Sequence, residues 1–561
     1  MKLVECALTT DNASRLSGKG DSPLKSECLP FSQIPHTAKF FLDYLSGRPE
    51  ALRFYAQSSR FTSWMKDEAS KIRYPEERRE QVAAVLERQN QAFGSAARTF
   101  ENLARFRNGA LTLVTGQQVG LFGGPLFSIL KALTAVRLAD EATKAGIDCV
   151  PIFWLATEDH DLEEVSTTSV PSSDGTLKEF HVTPGGIDQA PVGTLKFGED
   201  IQALVDEVAQ LLGEGDAAEV LRQAYRPGED FGSAFAKLFA RIFAGFGVIL
   251  LDSRDPELHE IAKPIYRAAA ERAEELDNAL LARGKELEAA GYHQQVKVTA
   301  LSTLLFSMAK GPRIVVHRKP NGNTDDFIIG DERLSRAELL SRIDNRPQDF
   351  SANVLLRPVM QDYLLPTLAY AGGAAEIAYF AQAAVVYQAL LGKVTAVVPR
   401  FSATLIDPKP QSFLAKFGLQ IQNVFQGPEK LLERLSERAL PADLQAAFAK
   451  ADSAIEKSVT EIQGELGRLD PTLVEAAGVS ISKMRYQLEK IKAQAARAES
   501  NKKEVLQRKA LFLSNLLYPE RGLQERVIAG IYFLARSPEL IRELYAAIHL
   551  DCQEHHLIWL S

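Results

Sequence analysis

Leu111 to Ala139 reads LTLVTGQQVGLFGGPLFSILKALTAVRLA, and its hydrophobic period changes at a glycine-bearing loop. Leu111, Leu113 and Val114 suit a buried strand, and Gly116 to Pro125 make a tight loop. Leu126, Ile129, Leu130, Leu133, Val136 and Ala139 then recur on one helix face. A strand, loop and helix start of this kind leaves backbone N–H groups and the positive helix end at the strand's carboxyl end, where open α/β sheets bind ligands. The candidates on the loop are Gln117, Gln118, Gly120, Gly123 and Gly124. It is neither GxGxxG nor a Walker loop, so a βα turn with packing glycines is the plain alternative.

Working outward, Cys149 to Ala156 is a second apolar strand that runs into Thr157-Glu158-Asp159-His160-Asp161. If the two strands are parallel neighbours, the two loops share a rim. Three carboxylates around one imidazole permit a general base, an orienting acid or a magnesium ligand. His160 can accept a proton from an attacking ammonium group, with Asp159 or Asp161 fixing its tautomer. Helix capping by the aspartates is the alternative.

Leu177 to Val182 and Val192 to Phe197 read as a small strand pair, and Val248 to Asp252 as another buried strand. Apolar runs between Gln295 and Ile329 predict a second β-rich insertion, and Asn353 to Leu356 reads as a core strand. In the stretch after it, Arg357 can clamp a carboxylate or phosphate, while Gln361 and Asp362 can bind amines or hydroxyls. Alternatively Arg357 and Asp362 pair with each other. Glu376 and Tyr379 follow Gly372-Gly373, and Glu376 also suits a first-turn helix position. A strand from Val394 to Pro399 completes the αβ part.

The 561 residues exceed one ordinary domain, and 46% hydrophobic residues supply core for two or three. A net charge of −7 argues against a general nucleic-acid binder. Cys6, Cys28, Cys149 and Cys552 form no CxxC pair, so neither a disulfide framework nor a structural zinc site is expected. His555-His556, read as helical, do not face one site, and no metal is expected. No run approaches the roughly 18 apolar residues of a membrane span, so the cytoplasm is the default.

Beyond residue 440 the period changes again. Leu444, Phe448, Ala451, Ile455, Val459, Ile462 and Leu466 make one seam. Ala477, Ile481, Met484, Leu488, Ile491, Ala495 and Ala498 make another, interrupted by Lys502. Asp470-Pro471 separates them, which predicts two antiparallel helices, the second strongly basic. The division is therefore a core over 1–440 with insertions near 170–240 and 290–350, a coiled coil over 441–515, and a helical segment over 516–561 docking on the core.

Three blocks carry a resemblance: TGQQVGLFGGPLFSILKAL at Thr115, PIFWLATEDHDLEEV at Pro151 and NVLLRPVMQDYLLPTLAYAGGAAEIAYFAQ at Asn353. Together they resemble the bacillithiol biosynthesis cysteine-adding enzymes, and the similarity continues through LYPERGLQERV at Leu517. The resemblance implies an α/β, Rossmann-like parallel-sheet core with inserted connective modules, plus a C-terminal antiparallel coiled coil that makes a homodimer. It also implies a ligase joining the carboxyl group of cysteine to the amine of glucosaminyl malate. Amide formation from a free carboxylate needs activation, and the implied fold is similar to class I nucleotidyl transferases. Gly116-Gln117-Gln118 stands where those enzymes carry His-x-Gly-His, and no Lys-Met-Ser-Lys-Ser loop is present. ATP or another nucleotide is thus an open expectation, and an ADP site near the coiled coil is a further implication. On this resemblance Gln117, Gln118 and the Gly120 to Gly124 backbone hold an activated acyl group or phosphate. His160 with Asp159 or Asp161 deprotonates the sugar amine, and Arg357 binds the malate carboxylates. A nucleotidyl transferase acting on another carboxylate and a nonenzymatic dimeric scaffold are the alternatives.

Overall fold

The computed structural model describes residues 24–560, apart from 322–323, 439–441, 471, 499–502 and 551. Cys6, Pro471 and Lys502 lie outside the described residues.

Leu111–Gln117 is the middle of a five-stranded parallel sheet, and it is buried from Thr112 to Gly116, as a strand covered on both faces is. Cys149–Leu155 and then Ile249–Asp252 lie on one side, Thr367–Gly372 and then Ala396–Pro399 on the other. Strand order therefore reverses between Leu111–Gln117 and Thr367–Gly372. In doubly wound sheets this reversal opens a crevice at the carboxyl ends, because the connections leave the two strands in opposite directions. Gly116 sits at that end, and a Cβ there would lie 2.8 Å from the Trp154 carbonyl oxygen and 2.9 Å from Trp154 Cβ. Only glycine lets the neighbouring strand approach so closely.

Several elements differ from the sequence reading, for local reasons. Leu177–His181 pairs with Thr167–Pro171, whereas Val192–Thr194 is a turn of 3-10 helix. Pro184, Gly185, Gly186 and Pro191 interrupt the ladder that a hairpin there would need. Three helices follow, Asp200–Leu212, Asp216–Ala224 and Phe231–Ile242, so this insertion is mainly helical rather than β-rich. The later insertion is an antiparallel sheet of Ser302–Ser307, Ile314–Asn321, Thr324–Ile329, Glu332–Ser335 and Phe350–Ala352. Asn353 to Leu356 is a turn, not a core strand: Asn353 Oδ1 accepts the N–H groups of Leu355 and Leu356, each at 3.0 Å. That turn launches the helix Arg357–Leu364, and the missing core strand is Thr367–Gly372.

One helix, Ala374–Leu391, has the length and mean hydropathy (1.3) of a membrane span, which the sequence reading did not credit. It buries Ile377, Phe380, Val386 and Tyr387 in the core behind the sheet. The helices Ala442–Leu469 and Thr472–Ala498 run antiparallel, with Arg485 Nε 2.9 Å from Asp452 Oδ1 and Gln463 Nε2 3.3 Å from the Val474 carbonyl oxygen.

The carboxyl-terminal segment ends in a strand rather than a helix. His555–Trp559 pairs antiparallel with Lys25–Leu29 and parallel with Ala403–Ile406, so the two ends of the described chain share a sheet. On a strand the two histidines face opposite ways. His555 is enclosed by Ser402 Oγ, 2.8 Å from Nδ1, and Thr404 Oγ1, 2.9 Å from Nε2. Burial pushes its pKa from 6.5 down to about 4, against the pull of Glu525. As pH falls below 6.5 the unfolded chain takes up a proton that the folded chain refuses until about pH 4, so stability drops across that window. The loss amounts to roughly 3 kcal/mol. Urea unfolding of His555→Gln is expected to show a smaller drop between neutral and mildly acid buffer than the parent; equal drops would remove His555 as the cause.

Candidate active site

At the strand-order reversal, the helix Leu126–Lys144 aims Lys131 back at the strand it follows. The ammonium group is buried and donates to the Gly116 carbonyl oxygen (2.8 Å), Gln117 Oε1 (2.8 Å) and Glu376 Oε2 (2.6 Å). Burial pushes the Lys131 pKa down to about 8, against the opposing effect of Glu376. Glu376 also accepts from Tyr370 Oη (2.6 Å) and the Gly373 N–H (2.7 Å). Burial works to raise its pKa, but Lys131 leads the groups that outweigh it and hold the carboxyl below its ordinary value. Glu376 is therefore both a first-turn cap and the partly exposed half of an ion pair whose lysine is buried.

Arg357 stands beside this pair at the start of its own helix. Its guanidinium donates to Gln361 Oε1 and Tyr379 Oη, each at 3.1 Å, and lies 5.7 Å from the Tyr370 ring centroid. Asp362 does not pair with it: Asp362 takes Gln361 Nε2 (2.9 Å) and Tyr387 Oη (2.6 Å) in the core. Among the described residues the hydrogen-bond partners of Arg357 are neutral, and Glu376, which favours its charge through space, is itself bound by Lys131, so the guanidinium keeps donors for an acid group. Gln361 and Asp362 are buried, so they orient the arginine from behind.

On the other side of the glycine loop, Gln118 Nε2 donates to Asp159 Oδ2 at 2.7 Å. Asp159 Oδ1 accepts from the His160 N–H (2.8 Å) and from Arg313 (3.1 Å). The same Arg313 nitrogen lies 3.3 Å from His160 Nδ1, and Asp159 Oδ1 lies 3.6 Å from it. Arg313 comes from the antiparallel insertion, which is thereby tied to the rim. His160 is partly open to solvent. Asp161 instead caps the short helix Leu162–Val165, accepting from the Glu164 N–H at 3.1 Å. Glu158 turns inward, with Oε1 3.2 Å from His259 Nε2, and Tyr266 Oη lies 3.1 Å from His259 Nδ1.

The glycine loop differs from the anion cradle that its position suggested. The Gly120 N–H goes to the Gln118 carbonyl, that of Gly123 to Gly120, and that of Gly124 to Leu121. Gly123 also donates to Tyr225 Oη at 3.0 Å. The first helical N–H beyond the loop, Leu126, is taken by the Ile528 carbonyl at 2.9 Å. The loop closes on itself because Gly123 and Gly124 adopt φ of +87° and +69°, so Gly120, Gly123 and Gly124 shape the wall without presenting amides to a ligand. Positive charge at the rim comes from side chains instead: Lys131, Arg357, and Arg400, whose guanidinium pairs with the buried Glu525 at 2.6 Å.

Gln117 and Gln118, adjacent on the chain, link the Lys131–Glu376–Arg357 side to the Asp159–His160–Arg313 side. Lys131, Arg313 and His259 were not singled out from sequence. A lysine inside the apolar run LFSILKALTAV was a usable signal for the first; the other two carry no local signature.

The family profile described as bacillithiol biosynthesis BshC, N-terminal Rossmann-like domain, matches residues 24–401. The profile described as bacillithiol biosynthesis BshC, C-terminal coiled-coil domain, matches residues 403–560. A Koribacter versatilis protein named "Putative cysteine ligase BshC" is 45% identical over 533 residues, covering 95% of this chain and 99% of its own. A Solibacter usitatus protein of the same name is 35% identical over 536 residues, with the same two coverages. One from Salinibacter ruber is 33% identical over 493 residues, covering 86% and 88%.

Proposed function

The chain belongs to the bacillithiol biosynthesis BshC family, and from that membership we propose that it is a cytoplasmic ligase joining the carboxyl group of cysteine to the amine of glucosaminyl malate. The observation that carries the reading is the run of contacts in which Arg357, hydrogen-bonded only to neutral partners among the described residues, and His160 stand on either side of Gln117 and Gln118. Arg357 receives the malate carboxylates, for which a planar two-donor group is suited. His160, with its Nδ1–H turned to Asp159 Oδ1, takes at Nε2 the proton that the sugar amine releases as its nitrogen bonds to the carbonyl carbon of the activated cysteine. The bond from that carbon to the activating group breaks, and the group leaves with the bonding pair. Lys131 holds Gln117 and Glu376 in place beside the reacting groups.

The carboxyl group must arrive activated, and a nucleotide is the proposed activator. The glycine loop does not offer its phosphates the amides of Gly120, Gly123 and Gly124, which are already engaged. A homodimer through the coiled coil belongs to the same proposal; it is supported by Ile462, Val479 and Ile491, large apolar side chains left exposed on the helical pair.

Purified protein incubated with cysteine, glucosaminyl malate and ATP, omitting each in turn, is expected to yield bacillithiol by mass only in the complete mixture. His160→Ala is expected to lower that yield by about 10²–10⁴-fold, the usual span for a general base. A folded His160→Ala protein that restores normal bacillithiol to a strain lacking the enzyme would remove the assignment.

A further inference from the structure

Away from this rim, the sheet that joins the two ends of the described chain gathers two cysteines and a histidine that are remote in sequence. In the antiparallel pairing of Lys25–Leu29 with His555–Trp559, Cys28 stands directly opposite His556. Directly opposed residues in such a pair share a face. Cys552 approaches the same face from the turn before the strand, giving a Cys552-xxx-His556 spacing. Ligand atoms of all three lie within 4.8 Å of one another.

Two further features point to a ligand. His556 is 1% exposed, yet its Nε2 is buried with no hydrogen-bond partner. A buried ring nitrogen left bare costs roughly 1–3 kcal/mol unless something binds it. Nδ1 lies 3.3 Å from Ser26 Oγ, and the ring packs on Phe401 with centroids 4.6 Å apart, so the imidazole is held in place. Metal-binding histidines are commonly oriented by a second hydrogen bond of this kind. The residues around Cys552 are pinned too: Gln553 exchanges hydrogen bonds with Ser59 (2.7 and 2.6 Å), and Glu554 accepts the Phe31 N–H at 2.8 Å.

We propose that Cys28, Cys552 and His556 form a binding site for a zinc-type divalent cation that clasps the Lys25–Leu29 strand to the carboxyl-terminal strand. Two sulfurs and one imidazole nitrogen are a soft donor set, which selects zinc over magnesium or calcium. Zinc–sulfur bonds of about 2.3 Å in a tetrahedron put two sulfurs about 3.8 Å apart. The three ligand atoms lie within 4.8 Å of one another, at most about an ångström wider than that, a gap that rotation of the Cys28 side chain, exposed on its strand, can close. Cys552 also lines a cleft with His549 and Gln553, which gives a fourth ligand, water included, a way in. The site stands apart from the proposed ligase chemistry and does not depend on it.

Full-length protein, reduced, stripped with chelator and titrated with cobalt(II), is expected to bind one cation per chain with a thiolate-to-cobalt charge-transfer band. Zinc should displace the cobalt and raise the thermal midpoint. Cys28→Ser, at an exposed position that leaves the fold intact, is expected to abolish the band and the zinc-induced rise; His556→Gln should do the same. No uptake by the reduced protein, or a band that survives Cys28→Ser, overturns the proposal.

Discussion

Arg357→Ala is expected to raise the KM for glucosaminyl malate by ~30-fold, equivalent to about 2 kcal/mol lost from charge-assisted hydrogen bonds to a carboxylate. The expectation follows from what surrounds the guanidinium. Gln361 and Tyr379 hold it with neutral acceptors at 3.1 Å, and the nearby Glu376 carboxylate, which acts on it through space, is bound by Lys131. Arg357→Lys keeps the charge but loses the planar pair of donors, so it should recover only part of the affinity. An acceptor lacking the malate group should bind the parent and Arg357→Ala alike, which separates lost recognition from general damage. Steady-state kinetics on protein with an unchanged thermal midpoint is the measurement, and an unaltered KM would sink the role given to Arg357.

The second large effect concerns stability. Lys131→Met is expected to lower the unfolding free energy by about 3 kcal/mol, because it leaves Glu376, mostly but not fully enclosed, charged without its cation. The Gly116 carbonyl and Gln117 also lose their donor. Lys131→Met combined with Glu376→Gln should be less destabilised than the sum of the two single variants, since the double variant buries no unpaired charge. Denaturant unfolding of the four proteins gives the coupling directly. Additive losses would show that the 2.6 Å contact contributes little beyond packing.

The two predictions draw on residues that the sequence disclosed unequally. Arg357 stands in a polar stretch next to a helix start and was a candidate at once. Lys131 sits in a helix whose apolar face is continuous, which marks the lysine as unusual without saying what it touches until the sheet is assembled around it. Its partner Glu376 lies on a different helix after a different strand, and only the reversal of strand order brings the two together. The same holds for Arg313, which reaches Asp159 from the inserted sheet.

Local periodicity was enough to determine that Leu111 to Ala139 is a strand, a loop and a helix, that Cys149 to Leu155 is a buried strand ending in charged residues, and that two seamed helices pair antiparallel beyond residue 440. Strand and helix periods and proline or glycine breaks act over a few residues, so they are written in the chain itself. The tertiary structure alone decided that the amides of Gly120, Gly123 and Gly124 are taken within their own loop, that Asn353 turns the chain instead of extending it, and that Cys28, Cys552 and His556 meet. Those outcomes depend on which distant groups are left to fill a hydrogen bond or share a sheet face, and sequence spacing carries no record of that.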